Sequence, residues 1–137
     1  MPIRVVRLGT PRAKGEGVRL GTVRRPPRGV PKSEFARRDY YDTWLPELAA
    51  SAPLVSWALA EPWTDARWRR YERRYRAEMK APAARHLIET LAALSRTADF
   101  SIGCYCENPA RCHRSILAGL LEEAGAEVAT DAFGHPR

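Results

Sequence analysis

"FSIGCYCENPARCHRSILAGLLEEAG", residues 100–125, contains all three cysteines of the chain and one of its three histidines. Its first part reads as a strand. Phe100, Ile102, Cys104 and Cys106 alternate with Ser101, Gly103 and Tyr105, so the two sets face opposite sides of a sheet. Cys104 and Cys106 then share a face at the strand's end. Asn108 fits an N-cap and Pro109 a first helical position, which predicts a helix running to about Ala124 and stopped by Gly125. With Cys112 set at about 0° on that helix, Ile116, Leu120, His113 and Leu117 fall at about 40°, 80°, 100° and 140°. His113 therefore sits near the centre of the apolar stripe and points inward. Cys112 lies at the stripe's edge, Arg111 points away, and Arg114 flanks the stripe on the Leu121 side.

A strand that turns within a few residues into a helix is the repeating unit of an α/β fold, and the rest of the chain agrees. Residues 3–8 and 18–23 read as strands, rich in β-branched and apolar residues, with Gly21 marking a bulge or a close backbone approach. Ser33 could cap a short helix, and Trp44 and Leu45 tuck against the core. Ser51, with Pro53 in the first turn, starts a helix whose apolar positions nearly surround it and predict burial. Thr64 caps a helix over about 65–80, on which Trp68, Tyr71, Tyr75 and Met79 form one stripe. Pro82 opens a helix to about Arg96, with Leu87, Leu91 and Leu94 as its buried line and His86 off it. "EVAT", residues 127–130, could be a last short strand. The expected fold is an α/β domain of three layers, a mostly parallel sheet flanked by helices, as one unit over 1–137 with a flexible tail at 131–137 that includes His135.

Composition narrows the class. The chain has 137 residues, 28% of them charged and 45% apolar, which suits one globular domain. No apolar run is long enough to cross a bilayer, and the start lacks a signal-peptide hydrophobic region, so a cytoplasmic protein without membrane contact is expected. Three cysteines, two of them one residue apart, argue against a disulfide framework and for a reducing compartment. The net charge of +7 and the isoelectric point of about 9.8 favour anionic partners. The charge is mostly arginine, however, spread along the whole chain.

Two segments could carry chemistry. "RRPPRG", residues 24–29, is a stiff turn in which Arg24 and Arg28 could cradle an anion and Gly29 could supply a positive φ. The second is the opening stretch, for which three readings stand side by side. Cys104, Cys106, Cys112 and His113 offer four zinc ligands, but structural zinc sites usually space theirs as two separated pairs, and adjacent Cys112 and His113 would have to bend to one ion. No cofactor is therefore expected. Cys106 and Arg111 have the C-x4-R spacing of a rhodanese-type loop, so Cys106 or Cys104 could be a nucleophile, although Glu107 and Pro109 suit an anion-wrapping loop poorly. Alternatively the cysteines pack, and Asn108, His113, Arg114 and the helix N-terminus form a polar pocket for an anionic or nucleotide-like ligand. A histidine that merely bonds a backbone carbonyl belongs to the same family of readings.

With "GVRLGTVRRPPRGVPKS", the tryptophan and tyrosines of helix 65–80, and "CYCENPARCHRSIL" in view, the chain resembles a known family. It is the bacterial domain-of-unknown-function family number 488, the YeaO-like proteins, and the resemblance runs over nearly the whole chain. It implies a compact α/β domain and no assigned activity, and it points to Arg24, Arg28, Gly29, Asn108 and His113. The cysteines match one branch only, which favours His113 over the thiols. Where the family's turn has an aspartate and a tryptophan, this chain has Val23 and Pro26.

These lines lead to one expectation and two rivals. The expectation is a small anionic or nucleotide-like ligand held at the strand ends by Arg24, Arg28, Gly29, Asn108 and Arg114, with His113 as acid or base in any catalysis. One rival is a rhodanese-like thiol enzyme using Cys106 or Cys104. The other is a non-catalytic nucleic-acid-binding module using Arg67, Arg70, Arg73, Arg74 and Lys80.

Overall fold

The structure, a computed structural model, describes residues 2–129. Four strands, β1 (Arg4–Arg7), β2 (Val18–Gly21), β3 (Thr43–Trp44) and β4 (Phe100–Cys104), form one sheet in the order β1-β4-β2-β3. Every pairing is parallel. Four helices accompany it: α1 (Ala52–Leu59), α2 (Asp65–Glu78), α3 (Pro82–Leu94) and α4 (His113–Glu123). This is an α/β domain. Among the described residues no helix is long and apolar enough to cross a membrane.

Alternation along the central strands decides which face meets which layer. Val5, Leu20, Phe100 and Ile102 enter the main core with Leu54 of α1, Tyr71, Tyr75 and Met79 at α2, Ile88 and Leu91 of α3, and Ile116, Leu117 and Leu121 of α4. The opposite face presents Arg19, Gly21, Ser101 and Gly103 and is covered by the loops on either side of β2. Gly21 is a close approach: a Cβ there would lie 2.2 Å from Cδ2 of Tyr41, whose ring rests on the strand. Beneath these loops the Arg19 guanidinium, 0% exposed, is gripped by Glu16 at 2.7 and 2.9 Å and by the carbonyls of Thr10 and Asp39. Ser101 donates to the same Glu16 carboxylate, so the pair is tied to β4 as well as to β2.

Side-chain caps explain two of the four helix starts. Ser51 accepts from the Leu54 N–H and Thr64 from the Arg67 N–H, each satisfying an otherwise orphaned donor. Gly125, at φ +104°, ends α4 in the left-handed region.

Several expectations are corrected. Asn108 does not start the last helix: it caps a single 3-10 turn, Pro109–Arg111, by accepting from the Ala110 N–H, and α4 begins at His113. Ser33 caps nothing; a 3-10 turn over Lys32–Glu34 has no side-chain cap. On α1 only Leu54 is buried and Leu59 is 81% exposed, because the helix lies at the domain's rim and has one neighbour layer rather than two. On α3 the buried line is Ala84, Ile88, Leu91 and Ala92, while Leu94 is exposed, which turns the stripe by about one residue from the expected one. Val128 makes a lone parallel bridge to Ile3 rather than a strand. Thr130, the tail 131–137 and His135 lie outside the described residues.

Candidate functional site

The parallel register brings Arg7, Gly21 and Cys104 to one edge of the sheet, since Arg7 pairs with Cys104 and Gly21 with Gly103. The residues that follow these strands, Leu8, Thr22 and Tyr105, therefore stand together at the carboxyl ends, where ligands of parallel sheets bind. Here β4 turns back into α4 through the 3-10 turn, and the turn returns Cys112 to the strand it left. The sulfurs of Cys104, Cys106 and Cys112 all lie within 4.8 Å of one another. Those of Cys104 and Cys106 are 3.6 Å apart and share a hydrogen bond. Cys104 and Cys112 are buried and Cys106 is exposed; none is in a disulfide.

The charges around the sulfurs are unevenly shared. Thiol donation from Cys106 and Cys112, then the Cys106 backbone N–H and the Arg114 guanidinium, hold Cys104 well below the ordinary thiol range despite its burial. Donating to Cys104 raises both Cys106 and Cys112.

His113 opens α4 and is buried. Its Nε2–H donates to the Thr22 carbonyl at 2.6 Å, and burial lowers its pKa, so the ring is neutral. That bond fixes the tautomer: Nδ1 keeps its lone pair and faces the Cys112 sulfur at 3.9 Å. Arg114 is also buried, and its Nη1 donates to the carbonyls of Val6 and Cys104. A groove of about 360 Å³ opens beside the cluster, lined by Arg7, Leu8, Gly9, Thr10, Tyr40 and Tyr105.

The other residues singled out from the sequence divide. Arg24 does not face the sulfurs with its guanidinium: Nε donates to the Ala50 carbonyl and Nη2 to Pro46 and Ala49, so it holds the loop before α1. Arg28 and Gly29 are exposed, and Gly29 takes the expected positive φ, +75°. The turn still reaches the strand end through its backbone, since the Tyr105 hydroxyl donates to the Arg25 carbonyl. Asn108 is exposed and engaged with its own turn. Arg111 swings to α2, bonding Asp65 at 2.8 Å and lying over Trp68, so the C-x4-R spacing does not place a guanidinium over Cys106. On the basic face of α2, Arg67 donates to the carbonyls of Trp57, Glu61 and Pro62 and, with Arg70 and Arg74, stands over the Trp57 ring.

Sequence reading missed Tyr41 and the Glu16–Arg19 pair. Tyr41 packs with Leu8, Val23, Cys104 and Cys112 in a second apolar cluster. Its signal was weak, one aromatic in a polar loop. Glu16 and Arg19 three residues apart do form a usual ion-pair spacing, but nothing local shows that both are buried.

Three clustered thiols, with a histidine lone pair beside one of them, have two chemical uses. Three thiolate sulfurs so placed could hold a soft cation, with Cys104, Cys106 and Cys112 as the ligands. The other use open to such a set is thiol chemistry, in which one sulfur's ionisation is favoured by a neighbour's hydrogen bond. The chain belongs to the DUF488 family: the family model DUF488-N3a, described as the active DUF488-N3 subclade, matches residues 3–125. No curated protein and no solved structure matches it.

Proposed function

We propose that this DUF488 protein is a thiol-dependent enzyme whose site is the sulfur cluster at the carboxyl ends of β1, β2 and β4. The observation that carries the reading is the meeting of three free thiols within 4.8 Å at the edge where parallel sheets bind ligands. Cys106, the exposed sulfur, meets the substrate. As it forms a bond to an electrophilic atom, its proton passes to the Cys104 sulfur 3.6 Å away, and the leaving group departs with the electron pair of the bond that breaks. His113 Nδ1 faces the Cys112 sulfur at 3.9 Å and is placed to take its proton. His113 thus keeps an acid–base role, exerted on Cys112.

The anion-pocket reading shares this location but has less support, because the guanidinium of Arg24 is engaged with carbonyls and Arg28 is exposed. Alkylation with iodoacetamide, read residue by residue by mass spectrometry, tests the thiol reading. Cys106 is expected to react faster than glutathione at pH 6, well below an ordinary thiol pKa of about 8.5, and Cys104→Ser is expected to remove that advantage. A Cys106 that reacts no faster than glutathione, with or without Cys104, overturns it.

A further inference from the structure

Cys104 and Cys106 are free thiols with their sulfurs 3.6 Å apart, and only Cys106 is exposed. Their backbones are held differently. Cys104 is the last residue of β4 and is fixed in register by its pairing with Arg7. The chain bends at Tyr105, and Cys106 follows outside the strand. A substrate atom therefore meets Cys106 and not Cys104, which is 6% exposed. Once that atom is bonded to Cys106, a second thiol is already in contact with the sulfur that carries it. What this second thiol can do depends on the electrophile. An alkyl carbon would leave a thioether, which a neighbouring thiol does not break. A disulfide would leave a mixed disulfide, from which a neighbouring thiol displaces the bound half.

Resting on the thiol reading, we infer that the substrate is a disulfide and that Cys106 and Cys104 act on it as a dithiol, Cys106 attacking and Cys104 resolving. In the first step the Cys106 sulfur bonds one substrate sulfur while its proton passes to Cys104. The substrate S–S bond breaks, and the first half leaves as a thiolate with that electron pair. In the second step the Cys104 sulfur bonds the Cys106 sulfur. The mixed disulfide breaks, and the second half leaves with the electron pair and the Cys104 proton, as a thiol. The substrate disulfide is reduced and the cysteine pair is oxidised to a disulfide, which a small free thiol returns to the dithiol. The sulfurs must close from 3.6 Å to a bond of about 2.05 Å. Cys106, lying outside the strand, supplies that movement while Cys104 stays in β4. Cys112 lies within 4.8 Å of both sulfurs but is 2% exposed and stands at the start of α4. It is the alternative resolving partner, which the test separates.

The probe is dithiobis(nitrobenzoate), an aromatic disulfide whose released thiolate is coloured. Given one equivalent at neutral pH, the full chain is expected to release both halves of each probe molecule consumed. It should end without an adduct and lighter by two hydrogens. Cys104→Ser should release one half and keep the other as an adduct on Cys106, whereas Cys112→Ser should behave as the parent does. The parent alone also reports the pairing, so the result does not depend on a variant that folds. Trypsin cuts after Arg96, Arg111 and Arg114, so a bond between Cys104 and Cys106 stays within peptide 97–111, and a bond to Cys112 joins that peptide to 112–114. A parent that keeps the adduct, or whose peptides 97–111 and 112–114 are joined, overturns the inference even where Cys106 reacts fast. A Cys106 that reacts with the probe no faster than glutathione fails the thiol reading itself, and the inference with it.

Discussion

Glu16→Gln should cost this protein about 3 kcal/mol of stability at pH 7, and that cost should vanish in acid. The Arg19 guanidinium is fully buried and Glu16 is its directly bonded counter-charge, at 2.7 and 2.9 Å. Glutamine keeps the volume and one acceptor but leaves the cation unpaired, a change worth about 3–5 kcal/mol in buried pairs. An independent route gives a similar figure. Burial pushes the Glu16 carboxyl up, but the bonds from Arg19, Ser101 and the Ala13 N–H outweigh it and bring it from its ordinary 4.5 down to about 2. At about 1.4 kcal/mol per pH unit, that shift corresponds to roughly 3 kcal/mol. The sign follows from the lowered value: the contribution is fully present above the unfolded pKa and is lost as pH falls through the folded one. Urea denaturation of both proteins across pH 7 to 2 measures it. Carboxylates common to both cancel in the difference, so the gap should be about 3 kcal/mol at pH 7 and shrink between pH 4.5 and 2. A gap below about 1 kcal/mol at pH 7, or one that stays constant down to pH 2, refutes the assignment of Glu16 as the buried counter-charge.

Two further outcomes bear on the site's construction. Gly21→Ala should lower stability by about 1–3 kcal/mol, because its methyl would stand 2.2 Å from the Tyr41 ring; a thermal midpoint equal to the parent's would show that Tyr41 does not rest on β2. If the thiols act as nucleophiles, protein purified without added metal should carry well under one equivalent of zinc by elemental analysis, and a chelator should not shift its thermal midpoint. One tightly held zinc, with a marked loss of stability on chelation, would give the cluster its other chemistry and remove the thiol enzyme.

The fold was legible where local chemistry speaks for itself. Ser51 and Thr64 declared two helix starts, and Gly125 a helix end, because a cap needs only its own turn. Alternation along residues 100–104 gave the central strand, but the layers that cover it come from distant segments. Asn108 misled for a related reason: it carries a good cap signal, and it does cap, but only a 3-10 turn that returns Cys112 to Cys104. No periodicity could show that return. It depends on where α4 packs, and hence on Ile116, Leu117 and Leu121 finding the sheet. Inward His113 was legible from the wheel, since the stripe passes through it whichever residue starts the helix. Its partner was not, because Thr22 is 91 residues away.

Part of the positive charge of this chain, the strongest global hint of an anionic partner, is engaged in holding loops. Arg24 holds residues 46–50, Arg67 the segment before α2, Arg111 the N-terminus of α2, and Arg19 the underside of the sheet. Each satisfies carbonyls or a carboxylate on a neighbouring segment, and Arg19 does so where both partners are buried. Arg114 follows the same rule through Nη1, bonding the carbonyls of Val6 and Cys104, yet it retains one buried N–H without an acceptor. An arginine whose only task was to hold strands together would gain by satisfying that last donor. The exception falls at the carboxyl edge of the sheet and at no other described arginine, which is why the search for a ligand belongs at Cys104 rather than on the basic surface of α2.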